Sequence, residues 1–234
     1  MFKCKIADLV FLIDNKLPYT ENAAKGYICD DSNKVDISLC VTDEEIDYES
    51  KCGHFSRGVL EFTALYRKLC NEVAKYNCFL MHSALISIDG EGVAFLAPSG
   101  TGKSTHILNW KKAFSDRVRI INGDKPLIKI SDKKILAFGT PWCGKEKWNL
   151  NESVELTTLA FIERDEKNHV REISSAEALP LLMQQLLIPE GEEDLIRLLD
   201  NVNELLSRCK LYKIYCNTDE QSALISYNAI KGNI

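Results

Sequence analysis

The run Ala97-Pro98-Ser99-Gly100-Thr101-Gly102-Lys103-Ser104-Thr105 constrains this chain more than any other feature, because an apolar strand pattern precedes it and a helical pattern follows. Successive backbone N–H groups in such a loop turn inward to form an anion nest, and the helix that opens at its end adds the partial positive charge of its N-terminus. Phosphate oxygens are the natural guest. Lys103 is expected to reach the β/γ-phosphates as a mobile point charge, and the Ser104 hydroxyl to complete the shell of a magnesium ion bridging them. Ser99, Gly100, Thr101, Gly102 and Thr105 complete the expected nucleotide-binding set. The first glycine of G-x-x-x-x-G-K-[ST] is replaced by Ala97, so the loop must begin at backbone angles that a Cβ tolerates. Read instead as a turn that binds nothing, the run makes Lys103 and Ser104 coincidental.

With 234 residues the chain has room for one domain, or one domain and a small appended subdomain. Its 29 basic and 34 acidic residues are spread along the sequence and leave no basic stripe for a nucleic-acid backbone. No apolar run approaches the roughly eighteen residues that span a bilayer, so the expectation is neither a secreted nor a membrane protein. Nine cysteines, an odd total without a C-x-x-C pair, read as buried free thiols in a reducing cytoplasm rather than as a zinc site or a disulfide framework. Cys52, beside Gly53 and His54, receives no role, and the oligomeric state stays open.

Periodicity gives a mixed α/β class with no internal repeat. Residues 1–57 read as a strand-rich N-terminal subdomain, with a strand pattern over 2–13, another over 35–41 and an acidic loop over 43–47. Residues 58–234 form the core. An amphipathic helix over 57–76 covers a sheet face and joins the two parts. Strands over 85–88 and 93–96 flank the turn Asp89-Gly90-Glu91-Gly92. A helix then runs from Gly102 to about Phe114, followed by strands near 118–121, 127–130, 135–138 and 157–162. Ser174 with Glu177 is a capping-box signature; Pro180 is expected to bend that helix. A further helix follows Gly191, and a strand over 211–215 and a helix over 222–230 close the chain.

The accessory residues separate the classes of phosphate-loop protein. Asn33-Lys34-Val35-Asp36 spells N-K-x-D but lies far upstream of the loop, as does the only D-x-x-G, Asp89 to Gly92; neither order suits a GTPase, and residues 33–36 read as a polar turn. No transporter-type ATPase signature is present. About twenty residues beyond Lys103, Asp124 ends a strand, where it can bind magnesium or accept the proton of an attacking hydroxyl; a solvated turn aspartate is the alternative. Lys125 reads equally as a surface charge. Gly139-Thr140-Pro141-Trp142-Cys143-Gly144-Lys145-Glu146 reads as a structured loop that either closes over nucleotide or acceptor, through Lys145 and the indole, or plugs a core edge with Trp142. His82, in an apolar run, is a structural histidine unless the site claims it.

Met81-His82, the hairpin entering residues 97–105, the acidic strand end at Asp124 and Pro141-Trp142-Cys143-Gly144-Lys145 together resemble the HPr kinase/phosphorylase-like kinases, whose phosphate-loop core is shared with phosphoenolpyruvate carboxykinases. The resemblance covers roughly residues 80–165. It implies an α/β core with an antiparallel hairpin leading into the loop, ATP and Mg²⁺ as cofactors, Asp124, Lys103 and His82 as catalytic residues, Lys145 among the nucleotide contacts, and Ser104 with Asp124 at the metal. Where relatives often carry two consecutive acidic residues this chain has Gly123-Asp124, so base and metal-ligand duties would fall on one aspartate. The C-terminal signature for a carrier protein is missing, which implies another acceptor: a hydroxyl of a peptide or small molecule, with residues 1–57 as one wall of its site. A nucleotide sensor that transfers nothing is the rival reading.

Overall fold

The structure, a computed structural model, describes residues 1–30 and 34–232, the Cys52 side chain excepted. Strands β1 (Phe2–Ile6) and β2 (Leu9–Asp14) form an antiparallel hairpin, and the turn between them places Ala7 and Asp8 at positive φ, the two-residue geometry that matches strand twist. The strand pattern over 2–13 is therefore two strands. Helix α1 (Pro18–Ala23) starts with proline, whose missing N–H costs nothing at a first helical turn. Strand β3 (Ile37–Cys40) pairs parallel to β2. Of the 33–36 segment, Asn33 lies outside the described residues; Asp36 exchanges two hydrogen bonds with the Val10 backbone, through its own N–H (2.9 Å) and its carboxylate (2.8 Å).

The expected acidic loop over 43–47 is instead helix α2 (Asp43–Glu49). Its cause is readable in the sequence: Thr42 and Glu45 form a capping box, and Asp43, Glu44 and Glu45 place negative charge on the positive end of the helix. Helix α3 (Arg57–Val73) follows and lays Leu60, Ala64, Leu65, Leu69 and Val73 against the small sheet. Its buried Glu61 accepts from the Leu17 N–H and, at 2.8 Å, from the Thr20 hydroxyl, capping α1 from another element.

The remaining strands are β4 (Cys78–Leu80), β5 (Ser83–Ile88), β6 (Glu91–Leu96), β7 (Val118–Asn122), β8 (Leu127–Ile130), β9 (Ile135–Phe138), β10 (Ser153–Arg164), β11 (His169–Glu172) and β12 (Lys210–Cys216), joined into one mixed sheet. Helices α4 (Lys103–Phe114), α5 (Ser175–Met183), α6 (Glu192–Arg208) and α7 (Gln221–Lys231) cover it. Along β6 the side chains alternate between two cores, Ala94 and Leu96 toward α5 and α6, Val93 and Phe95 toward α4 and α7, which is why the strand reads as one continuous apolar run. β5 pairs antiparallel with both β6 and β7, while β10 runs parallel to β6. The C-terminal ends of β6, β7 and β10 and the N-terminal end of β5 therefore meet at one edge of the sheet.

The hydrophobic cluster under the small sheet does not stop at residue 57. It runs through α3 to Leu127, Phe138 and Trp142, whose indole stacks on Phe62 (centroids 4.9 Å apart) and donates from Nε1 to the Phe62 carbonyl at 2.8 Å. Trp142 is thus a core plug fixing its loop to α3, and not the tip of a closing flap. Trp142→Ala is expected to lower unfolding stability by about 3–5 kcal/mol, the range for deleting a buried large aromatic, as read by urea denaturation.

Candidate functional site

Residues 97–102 leave β6 and turn into α4. Gly100 (φ +79°) and Gly102 (φ +117°) adopt left-handed backbone that side chains rarely enter, and no atom lies within 4 Å of where a Cβ would stand on either. Ala97 is absent from the positive-φ residues, and its methyl is buried in the core beneath α4, so alanine serves where the pattern has glycine. Arg164, at the end of β10, clamps the loop: its Nε donates to Thr101 O at 2.8 Å and its Nη2 to Gly100 O. Composition gave no sign of this contact, because it follows only from the parallel pairing of β10 with β6.

One residue ahead of β5 stands His82, its backbone N–H donating to Gln185 O at 2.8 Å. Asp124 follows the end of β7, and because β7 runs antiparallel to β5 the two meet: Ser83 N–H donates to Asp124 O at 2.9 Å. The side chains of His82 and Asp124 touch, Nε2 to Oδ1 at 3.1 Å. Lys103 Nζ lies 3.0 Å from the same His82 nitrogen and donates to Ala97 O at 2.9 Å. On the other carboxylate oxygen, Lys125 Nζ pairs with Asp124 Oδ2 at 2.6 Å while lying 5.2 Å above the Tyr66 ring. The order Lys103, His82, Asp124, Lys125 is a continuous chain of polar contacts from the loop at residues 97–102 outward. Nε2 cannot donate to Asp124 and accept from Lys103 at once, so the two contacts compete for one nitrogen.

Burial works to raise the Asp124 pKa, but the His82 hydrogen bond and the Lys125 charge outweigh it and hold the carboxyl at about 2. Burial lowers the Lys103 pKa, with Lys125 adding to the effect and Asp124 opposing it. Asn122, wholly buried at the end of β7, fixes the turn that carries Asp124: its Oδ1 accepts from Asp124 N (2.9 Å) and Lys125 N (2.7 Å), and its Nδ2 donates to Thr140 O (3.0 Å). Sequence reasoning passes over Asn122, although Asn-Gly-Asp is an Asx-turn signature.

Two clefts flank the loop at residues 97–102. One is lined by Ala97 to Thr101, Arg164 and Gln185, whose buried Oε1 has no hydrogen-bond partner among the described residues; the other by Thr105, Arg164 and Asn217. Ser104 opens α4 half-buried beside Lys103. Lys145 is elsewhere. It lines a third cavity, of about 740 Å³, together with Asp124, Lys125 and Trp142 on one side and Tyr19, Lys25 and Phe55 of the opening segment on another. None of residues 97–105 lines that cavity, and Asp124, which does, connects through His82 to Lys103 at the end of that loop.

A carboxylate whose folded pKa is depressed contributes stability above its unfolded pKa and loses it as pH falls through the folded value. For Asp124 that window runs from about pH 4, the ordinary carboxyl range, to about 2. The stability difference between the native chain and Asp124→Asn is expected to shrink by roughly 2 kcal/mol between about pH 5 and 2, measured by denaturant unfolding at each pH.

No family model matches the chain, and no curated protein matches it. Among solved structures, the HPr(Ser) kinase/phosphatase from Coxiella burnetii aligns at 12% identity with a TM-score of 0.38, over 66% of this chain and 95% of that one, a distant structural relationship.

Proposed function

We propose that the protein transfers the terminal phosphoryl group of ATP, with Mg²⁺, to a hydroxyl of a small molecule or peptide. The observation that carries this reading is the contact chain from Lys103 through His82 to Asp124, with an ionised carboxylate between the phosphate loop and a separate cavity. The loop suits a polyphosphate: its glycines leave open space around the backbone. No cluster of three or more metal-ligating His, Cys, Asp or Glu side chains occurs among the described residues. Ser104 and Asp124 would hold a magnesium ion that takes its other ligands from phosphate and water, the usual arrangement for this cation. Bound there, it supplies charge neutralisation for the transferring group.

The roles of the chain's own residues follow. Lys103 and the loop N–H groups bear on the charge of the phosphoryl oxygens. Lys103 reaching a phosphate leaves His82 Nε2 to donate to Asp124 alone, which fixes the carboxylate. With a pKa of about 2, Asp124 is a weak base that stays ionised, so it orients the acceptor hydroxyl and takes its proton late, as the oxygen–phosphorus bond forms and the bond to the leaving diphosphate breaks.

Lys103→Ala is expected to cut turnover by about 10²–10³, the scale for losing one transition-state charge stabiliser. Asp124→Asn is expected to abolish transfer and keep nucleotide binding. ³¹P NMR of ATP and magnesium with the protein and a filtered cell extract reads both: new phosphoester resonances are the expected result, and ATP left intact points to the sensor reading.

A further inference from the structure

The 740 Å³ cavity is electrostatically one-sided. Lys25, Lys125, Lys145 and Lys147 line it, and among the described residues Asp124 is its only acidic lining residue. Asp124 is already engaged by Lys125 and His82. Lys25, Lys145 and Lys147 form no ion pair among the described residues, in a chain whose net charge is -5 and whose other lysines are often paired. Glu146 sits between two of them in sequence and does not line the cavity. Lys147 also occupies left-handed backbone (φ +55°), a conformation that glycine or asparagine adopts more cheaply, in a turn closed by its N–H to Gly144 O at 3.3 Å. Tyr19, Phe62 and Trp142 add apolar wall to the same cavity, and low-dielectric walls sharpen such a field.

We infer that this cavity takes a small hydroxy compound bearing a carboxylate or phosphate, its anionic group held by Lys25, Lys145 and Lys147 and its hydroxyl directed at Asp124. The inference rests on the phosphotransferase reading for the hydroxyl's fate, while the preference for an anion stands on the lysines alone. The volume is that of a small-molecule site. The same chemistry on a peptide would be a hydroxyl residue flanked by acidic ones.

Calorimetric titration of the full chain without nucleotide compares 3-phosphoglycerate and D-glycerate with glycerol, and with the acid-flanked peptide Glu-Ser-Glu. Saturable binding of the two small anions and none of glycerol is expected, weakening with added salt. Lys25→Gln with Lys147→Gln should weaken it roughly tenfold, the scale for two accessible ion contacts. Equal binding of glycerol, no binding of either anion at millimolar concentration, or an unchanged affinity in the double variant would overturn the proposal, and tighter binding of the peptide would overturn its small-molecule half. Addition of ATP and magnesium to the same samples separates the two readings: transfer to none of the probes, with the anion preference intact, counts against the phosphotransferase and not against the anion site.

Discussion

The side-chain amide of Asn122 decides where the charges of this site lie. Its oxygen gathers two consecutive N–H groups and its nitrogen holds Thr140, so a single buried residue ties the end of β7 to the loop that carries Trp142. That turn and the Ser83 N–H bond to the Asp124 carbonyl together bring Asp124 to His82. Buried amides are held this tightly because each unpaired polar atom left in a core carries its full desolvation cost. The positions of Asp124 and Lys125 are accordingly a property of the backbone, and their mutual contact adds to a geometry already set.

Much of this is legible in the sequence where the signal is local. The turn from β6 into α4, the hairpin entering it, α4 itself and the Ser174 capping box each follow from neighbours within a few residues, and each stands where periodicity and turn chemistry put it. Helix α2 is equally local, yet five acidic residues among seven suggest solvent before they suggest a cap. The rest is non-local. Arg164 reaches Gly100 and Thr101 through the register of β10 on β6, and Lys145 lines one cavity with Lys25 where Trp142 docks its loop on α3. No spacing along the chain encodes either meeting.

The cores divide the same way. The cluster beneath the β6–α4 loop, with Ala97, Ile107 and Trp110, shares no residue with the cluster that carries Trp142, α3 and the small sheet. Side chains on the cavity wall can therefore be exchanged without repacking the layer under the loop. A fold arranged in this manner lets the packing on one side of Asp124 vary without disturbing the other, and the aspartate is the joint at which the two layers have to agree.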